Sequence, residues 1–276
     1  MMEDYEGVII WDLPSQIRNR YLKYCFSHSI RCYMSPKISD IILLGTDRIH
    51  LFDTPLLMCR NQGLSMEQRA AKRVLDIIVS GLGIIVSSPI MLIIAIAVKA
   101  YDGGPVFYLQ DRLTYQGKEF RIRKFRSMCV DSEKNGARLA SKHDSRITPV
   151  GHVLRNLHLD ELPQLFNVFM GDMSLVGPRP ERDVIMQEYE QEIPEFHYRL
   201  KVKAGLTGYA QVYGKYNTTP YDKLKLDLFY IENYSFLLDI KLLFMTVKIF
   251  FQKEVSEGVD DNQKNALKAV SYTHLT

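Results

Sequence analysis

One long run of apolar residues dominates the hydropathy pattern of this chain. Residues 74–98 read VLDIIVSGLGIIVSSPIMLIIAIAV, with Asp76 as the one charged residue. As a straight helix this run would be about 37 Å long, enough for a hydrocarbon core of about 30 Å. However, Ser88 and Pro89 lie past its middle, and a proline there removes a backbone hydrogen bond and clashes with the preceding turn.

Basic residues flank this run on both sides, with Arg69, Lys72 and Arg73 before it and Lys99 after it. Because positive residues favour the cytoplasmic side of a membrane, both ends are expected there. The pattern therefore predicts a re-entrant helix, broken at Ser88-Pro89, which enters and leaves one leaflet. The hydroxyl of Ser87 or Ser88 would bond to the carbonyls that the proline frees. A straight single span and a kinked helix buried in a core remain alternatives.

The first 68 residues show only short apolar stretches. Ile38–Leu44 (ISDIILL) predicts one buried strand, and residues 49–57 (IHLFDTPLL) form a second apolar stretch. One or two strands cannot close a stable sheet. We therefore interpret residues 1–68 as an N-terminal arm.

The C-terminal part of the chain holds one apolar and one polar segment. Residues 236–251 (FLLDIKLLFMTVKIFF) are broadly apolar, and Lys241 and Lys248 can extend their amines to a membrane surface. They predict an interfacial helix, with a helix packed in the core as the alternative. Residues 254–276 lose all periodicity, and we expect a disordered or non-native tail there.

Composition narrows the class of protein. Hydrophobic residues make up 46% and charged residues 24% of the 276 residues, which excludes wholesale disorder. A mean hydropathy of −0.12 excludes a membrane protein with many spans. The net charge of +3 is too small to indicate nucleic-acid binding. Four scattered cysteines without a CxxC pair fit a reducing compartment better than a disulfide framework or a zinc site.

The small net charge hides two blocks of opposite sign. Residues 99–155 carry 12 Lys and Arg against 6 Asp and Glu, whereas residues 156–200 carry 3 against 9. Within the first block, residues 118–126 (KEFRIRKFR) alternate in a way that predicts a strand with a basic face. Beside an intramembrane segment, lipid headgroups and ligand phosphates are better partners for that face than nucleic acid. A simply solvated basic face remains open.

Candidate chemistry concentrates in Arg155–Glu181, RNLHLDELPQLFNVFMGDMSLVGPRPE. Four apolar residues recur at helical spacing and should face a core: Leu159, Leu162, Leu165 and Phe166. Asp160 and Glu161 would then lie on another face. Because Pro163 fits only in the first turn of a helix, Asp160 is expected at or near the N-cap, where free amides attract phosphate.

An adjacent carboxylate pair can divide into a nucleophile and a metal ligand or base. Carboxylates beside a phosphate need cations, and Arg155 and Arg179 have the planar donors that suit phosphate. Mg²⁺ is the usual oxygen-liganded ion at such sites. The alternative is that the pair only complements a helix dipole and that GPRP at residues 177–180 is a rigid loop. The seven histidines show no ligand spacing and are interpreted as structural.

Six motifs occur in order between Lys72 and Phe251: KRVLDIIVSGLGIIVSSPI, DGGPVFYLQDR, KFRSM, SRITPVGHVLRNLHLDELPQLFNV, GDMSLVGPRPE and GLTGYAQVYGKYNT. This series resembles the catalytic domain of bacterial polyprenyl-phosphate hexose-1-phosphate transferases. These are the initiating sugar transferases of exopolysaccharide, capsule and O-antigen synthesis, in the monotopic phosphoglycosyl transferase family. The resemblance covers about two thirds of the chain.

The resemblance implies an α+β, mainly helical, monotopic fold at the bacterial inner membrane, with a cytoplasmic catalytic domain and interfacial amphipathic helices. Asp160 would attack the β-phosphate of a UDP-sugar and release UMP, and undecaprenyl phosphate would then take up the sugar phosphate. Glu161 would coordinate Mg²⁺. The resemblance also implies phosphate or nucleotide contacts at Arg155 and at Pro178, Arg179 and Pro180 of GPRP. Lys124 and Arg126 of KFRSM are either further phosphate contacts or residues that stabilise the fold.

The resemblance also implies a domain organisation. Residues 1–68 would be the remnant of a Rossmann-like module of larger members, 69–253 the catalytic domain, and 254–276 the tail. Thr114 stands where a glycine is common, and Ala204 where a proline is common, so we expect adjusted loops there. Membrane lipids are expected partners, nucleic acid is not, and a homo-oligomer is left open. A non-catalytic scaffold for envelope assembly, or a lipid-phosphate transferase with another nucleotide donor, are the alternative functions.

Overall fold

The computed structural model describes residues 6–59, 63–130, 144, 146–215 and 217–250. The predicted tail at residues 254–276 lies outside these residues. Helices predominate and the sheets are small, as the α+β, mainly helical prediction requires. The helices are α1 (Ser15–Ser27), α2 (Ile38–Leu44), α3 (Met66–Asp102), α4 (Pro149–Asn156), α5 (Gln164–Met170), α6 (Asp183–Glu192), α7 (Tyr209–Tyr213), α8 (Pro220–Glu232) and α9 (Phe236–Phe250).

The strands form two-stranded pairs. Their bounds are β1 (Val8–Ile10), β2 (Cys32–Met34), β3 (Asp47–Leu51), β4 (Thr54–Met58), β5 (Phe107–Leu113), β6 (Glu119–Phe125), β7 (Ser174–Val176) and β8 (Gly205–Thr207). β1 with β2 and β7 with β8 are parallel, whereas β3 with β4 and β5 with β6 are antiparallel. Three 3₁₀ turns complete the described elements: Tyr115–Gly117, Leu159–Glu161 and Pro194–Lys201.

Helix α3 contains the long apolar run. Ser65 begins it by accepting a hydrogen bond from the Gln68 amide, and Gly103 ends it in the left-handed conformation. Pro89 cannot donate to the carbonyl of Ile85, four residues earlier, and the Ser88 hydroxyl donates to that carbonyl instead, at 2.8 Å. The predicted hydroxyl cap is therefore present, and the helix continues past the proline.

The most apolar part of α3 is long and apolar enough to cross a membrane, and only 17% of it is buried. A helix buried in a core would have most of its surface covered, so that alternative does not fit. One side carries a row of exposed apolar side chains that includes Ile78, Leu82, Ile85, Val86, Ile93 and Ile96. This arrangement is compatible with monotopic association with a membrane.

Both halves of α3 pack against the rest of the chain. Before Pro89, Arg73 donates to the carbonyls of Val168 and Phe169 at the end of α5, each at 2.7 Å. After Pro89 the contact is an apolar cluster of Met91, Ile94, Val98, Phe125 and Leu154. The helix is thus fixed to the domain on either side of the proline.

The predicted strand at Ile38–Leu44 is wrong, because these residues form helix α2. Asp40 accepts a hydrogen bond from the Lys37 amide at 2.8 Å, which closes the first turn. Ile38 and Ile41, three residues apart, are both buried in the main core. The second stretch, IHLFDTPLL, contributes to the β3–β4 hairpin. In a segment of seven residues an apolar run does not distinguish strand from helix.

Helix α9 has one buried face and one exposed face, and both carry apolar side chains. Leu242 is fully buried in the main core. On the other face Leu237, Phe244 and Val247 are exposed, and Lys241 is exposed between them. The outer face therefore has the composition of an interfacial helix.

Lys72, expected as a membrane-flanking charge, lies instead in a buried polar cluster. Its ammonium donates to Asp239 at 2.7 Å and to the Tyr230 hydroxyl at 2.9 Å. That hydroxyl donates in turn to the second oxygen of Asp239, at 2.7 Å. The cluster joins the start of α3 to α8 and α9.

The two departures from the family pattern contact each other. The hydroxyl of Thr114 accepts a hydrogen bond from the Ala204 amide and donates to the carbonyl of Asp172, both at 3.1 Å. Thr114 and Ala204 are both 5% exposed. A proline at 204 would have no amide to donate, and a glycine at 114 would have no hydroxyl to receive it. The pair is therefore one coupled adjustment.

This coupling gives a stability prediction. Thr114→Gly alone is expected to cost about 1–3 kcal/mol, because the buried amide of Ala204 loses its acceptor. Adding Ala204→Pro removes that amide, so the double variant should be less destabilised than the sum of the two single variants. Chemical unfolding of the four proteins measures the difference, and strictly additive losses would contradict the coupling.

Candidate active site

The Asp160–Glu161 pair lies in a 3₁₀ turn between α4 and α5. His158 adopts a left-handed conformation, with φ of 52°, and redirects the chain into this turn. Helix α5 begins at Gln164 with Pro163 as its N-cap. Asp160 therefore lies near the N-cap, three residues before Pro163, and not at it: bonds over three residues, such as that from the Leu162 amide to the carbonyl of Leu159, place it in a separate turn.

The four leucine and phenylalanine side chains of this segment do face the interior, as predicted. Leu159, Leu162 and Phe166 pack on the cluster beside α3, and Leu165 packs on the main core. They anchor the turn on its inner side. The two carboxylates are thereby turned toward β6 and the GPRP loop.

Glu161 is held by two cations from distant segments. Its Oε1 accepts hydrogen bonds from the Lys124 ammonium of β6 at 2.6 Å and from the Arg179 guanidinium at 3.0 Å. Burial alone would raise the pKa of Glu161, but Arg179 and Lys124 outweigh it and lower that pKa well below its usual range. Glu161 is therefore ionised at every physiological pH.

Lys124 lies on β6, where the basic strand was predicted. Phe120 and Ile122 are buried on the same side of the strand, and two further residues along, Lys124 faces Glu161. Burial lowers the pKa of Lys124, and the attraction of Glu161 opposes that effect. The predicted basic face is thus divided, since Arg121 on the opposite side is exposed.

Asp160 has a different environment from its neighbour. In the part of the chain that the structure describes, its side chain forms no ion pair, and the hydrogen bond that it accepts comes from its own backbone amide. Burial, and then the like charge of Glu161, raise the pKa of Asp160. Such a carboxylate keeps its lone pairs available and is a stronger base than one held by cations. Of the two carboxylates, Asp160 is the one suited to attack a phosphorus atom.

Arg155 lies at the end of α4, five residues before Asp160. Thr148 begins this helix by accepting a hydrogen bond from the Gly151 amide at 2.9 Å. Gly151 permits a close approach, because a Cβ there would lie 1.9 Å from the carbonyl oxygen of Ser127. The Ser127 hydroxyl in turn accepts from the Arg155 Nε at 2.9 Å. Packing of α4 on the segment after β6 therefore orients this guanidinium.

Arg126 makes contacts of the bracing kind. Its guanidinium forms a two-pronged ion pair with Asp102 at the end of α3, and its Nε donates to the carbonyl of Pro105 at 2.7 Å. These bonds tie the segment after α3 to the end of β6. Of the two roles that its sequence position allows, this geometry favours the brace over the phosphate contact.

The loop that carries Arg179 is fixed along its main chain. Four successive carbonyl oxygens each accept a hydrogen bond from a different segment: Pro178 from the Gly205 amide, Arg179 from the Arg199 side chain, Pro180 from the Arg112 side chain, and Glu181 from the Leu113 amide. Pro178 and Pro180 are buried, whereas the Arg179 side chain is 51% exposed. The rigid loop therefore presents one accessible guanidinium beside Glu161.

The residues present are compatible with Mg²⁺ only in company with a substrate. Among the described residues no group of three or more His, Cys, Asp or Glu side chains could hold a metal ion. Mg²⁺ is, however, commonly held by one or two carboxylates together with substrate phosphates and water. The Asp160–Glu161 pair offers that smaller set of ligands.

Sequence reasoning missed several side chains that shape this site. Arg112 is the last residue of the motif DGGPVFYLQDR. A guanidinium can donate to a backbone carbonyl, but nothing in the sequence indicates that Pro180 is its partner. Ser127, the partner of Arg155, stands in KFRSM. Arg199 belongs to no motif, so only the tertiary structure reveals it.

The family model described as bacterial sugar transferase matches residues 67–253. This chain belongs to that family. It is 44% identical over 232 residues to the UDP-N-acetylgalactosamine-undecaprenyl-phosphate N-acetylgalactosaminephosphotransferase of Aeromonas hydrophila, covering 83% of this chain and 54% of that protein. It is 43% identical over 208 residues to the UDP-glucose:undecaprenyl-phosphate glucose-1-phosphate transferase of Klebsiella pneumoniae, covering 74% and 43%.

A third relative is the UDP-galactose-lipid carrier transferase of Erwinia amylovora. The two are 34% identical over 258 residues, covering 87% of this chain and 53% of that protein. The resemblance read from the six motifs is thus confirmed. The chain spans about half the length of the curated relatives it matches.

Proposed function

We propose that this chain transfers a hexose-1-phosphate from a UDP-sugar to undecaprenyl phosphate, as the first membrane step of exopolysaccharide, capsule or O-antigen synthesis. The observation that carries the proposal is the contrast within one pair: Glu161 is held by Lys124 and Arg179, while Asp160 beside it has an elevated pKa. The names of the relatives, which act on UDP-sugars and undecaprenyl phosphate, support it.

The first half of the proposed reaction loads the sugar phosphate onto the protein. A carboxylate oxygen of Asp160 attacks the β-phosphorus of the UDP-sugar and forms a phosphorus–oxygen bond. The bond from that phosphorus to the bridging oxygen breaks, and UMP leaves with the electron pair. Arg155, Arg179 and Lys124 offset the negative charge of the phosphates.

The second half returns Asp160 to its starting state. A phosphate oxygen of undecaprenyl phosphate attacks the phosphorus of the phosphosugar-aspartyl intermediate. The bond to Asp160 breaks, the carboxylate is released, and the sugar remains joined to the lipid through a diphosphate. Two successive displacements at the same phosphorus atom, with Asp160 as nucleophile in the first and leaving group in the second, thus account for UMP and the lipid-linked sugar.

Glu161 is the residue that would hold Mg²⁺. When bound, that ion would neutralise charge on the diphosphate of the donor. Glu161 suits this role because it stays ionised. Its protein contacts also keep its carboxylate in a fixed orientation next to Asp160.

We further propose that the domain sits on the cytoplasmic face of the inner membrane. The acceptor must bring its phosphate to Asp160 while its polyprenyl tail stays in the bilayer. The exposed apolar side of α3 and the outer face of α9 support insertion of α3 in the bilayer, with α9 at the interface. In this proposal α3 is re-entrant and turns back at Ser88-Pro89, where Pro89 leaves the helix without one backbone bond. The basic residues on both flanks of α3 favour one side of the membrane for both of its ends.

The test is release of UMP from a series of UDP-sugars by the purified chain in detergent or nanodiscs, with undecaprenyl phosphate and Mg²⁺. Release with at least one UDP-sugar is expected. If no UDP-sugar yields UMP, the transferase proposal fails and the non-catalytic scaffold becomes the better interpretation. Release from a different nucleotide donor alone would favour the other lipid-phosphate transferase.

Lys124 and Arg126 allow a matched comparison between a site cation and a brace. Lys124→Met is expected to lower kcat/KM for UMP release by about 10²-fold, because Glu161 loses a charge-assisted bond and the phosphates lose a cation. Arg126→Met leaves Asp102 without its partner, so it should lower the melting temperature while the folded fraction keeps most of its activity. The reverse pattern would show that Arg126 is the phosphate contact.

A further inference from the structure

The loop that carries Arg179 is held from behind by two other arginines that touch neither carboxylate of the site. Arg199 donates to the carbonyl oxygen of Arg179, and Arg112 donates to that of Pro180, each at 3.0 Å. We propose that Arg199 and Arg112 are positioning residues that set the place of the Arg179 guanidinium on Glu161. The proposal rests on the proposed function, since it concerns how that reaction's nucleotide-side cation is held.

Arg199 is itself fixed on several sides. It is 4% exposed and forms an ion pair at 2.8 Å with Asp227 of α8, which is 1% exposed. A second carboxylate, that of Glu181, lies 3.5 Å away, and the guanidinium stacks over the Phe196 ring at 4.9 Å. A buried cation held in this way has little freedom to move. Its hydrogen bond therefore holds the carbonyl group of Arg179 in one position.

Arg112 is aligned by its neighbour on β5. Its Nε and one terminal nitrogen donate to the Gln110 side-chain oxygen, at 3.0 and 2.6 Å. Residues two apart on a strand share one face, so this contact follows from the strand itself. The other terminal nitrogen is left for the carbonyl of Pro180.

The two bonds hold the peptide units on either side of the Pro180 ring. Because the main chain at Arg179 is anchored there, its half-exposed side chain can reach Glu161 at 3.0 Å without a search through alternative loop positions. A displacement of about 1 Å at a group that binds the reacting phosphate can cost about 10²-fold in rate. Buried arginines behind the loop are thus expected to affect catalysis without contact with substrate.

Lysine substitutions separate position from charge. Arg199→Lys keeps a cation for Asp227 but loses the planar fork that serves a carbonyl and a carboxylate together. We expect kcat/KM for UMP release to fall about 10- to 100-fold, by analogy with other misplaced groups. Arg179→Lys should give a loss of at least that size.

The decisive measurement is a double-mutant cycle with Arg179→Lys and Arg199→Lys. If Arg199 acts through Arg179, the double variant has the same kcat/KM as Arg179→Lys alone. If the losses multiply, Arg199 contributes independently and the proposal is overturned. Should Arg199→Lys fail to fold, the same cycle with Arg112→Lys, whose side chain is 19% exposed, applies the same criterion to the second positioning residue.

Leu242→Ala is the matched control for a general loss of stability. Leu242 is fully buried in the main core and belongs to α9, so its truncation lowers the melting temperature without removing a bond from the loop. Its folded fraction should keep kcat/KM within about twofold of wild type; a loss equal to that of Arg199→Lys would overturn the proposal. Wild-type protein that releases no UMP would instead overturn the proposed function, and this inference with it.

Discussion

Asp160→Asn is expected to lower UMP release by at least about 10³-fold, because the amide cannot act as the nucleophile in the first displacement. The substitution keeps the size of the side chain and removes only its charge. Since burial and Glu161 raise the pKa of Asp160, the ionised form is disfavoured in the folded protein. The neutral variant should therefore melt at or above the temperature of wild type, which separates the lost chemistry from unfolding.

A labelled donor tests the covalent intermediate directly. With a UDP-sugar labelled in the sugar and no lipid acceptor, wild-type protein should retain label after denaturation, and Asp160→Asn should not. Glu161→Gln is the companion variant: it keeps the nucleophile, so slow labelling is expected. If Asp160→Asn retains label, the nucleophile lies elsewhere. If Asp160→Asn releases UMP at nearly the wild-type rate, Asp160 has no covalent role.

Periodicity was sufficient for elements whose pattern is long or alternating. The run around Ser88-Pro89 predicted a helix and even the hydroxyl that replaces the missing bond, and the alternation in KEFRIRKFR predicted β6. It was insufficient for Ile38–Leu44, because seven residues fit the helical and the strand period equally well. The bond from the Lys37 amide to Asp40 favours the helix there. It also placed Leu159 to Phe166 on one helix, because apolar residues three apart fit a 3₁₀ turn as well as an α-helix, and the bonds over three residues that form the turn at Asp160 have no signature in the sequence.

The members of the site could be named from motifs, but their division of labour could not. Asp160 and Glu161 are adjacent and chemically alike, and their difference arises from which of them meets Lys124 and Arg179, residues 36 and 19 positions from Asp160. The bonds from Arg199 and Arg112 to the loop span 20 and 68 positions. Such contacts depend on how α8, β5 and the GPRP loop pack together, which no local pattern encodes.

The second large effect is expected at Lys72, on stability. Lys72→Met should cost about 3–5 kcal/mol, because the buried carboxylate of Asp239 loses its only cationic partner among the described residues. For a domain of this size that corresponds to a fall in melting temperature on the order of 10 °C. Thermal unfolding in detergent, followed by circular dichroism, measures the shift.

Two further variants show whether the buried pair causes this effect. In Lys72→Met/Asp239→Asn the unpaired charge is gone, so much of the lost stability should return. Lys118→Met removes a cation from an exposed position and should leave the melting temperature within about 1 °C of wild type. If Lys72 acted only as a flanking charge that orients α3 in the membrane, Lys72→Met would resemble Lys118→Met. A large loss that Asp239→Asn reverses would assign Lys72 to the packing of α3 against α8 and α9.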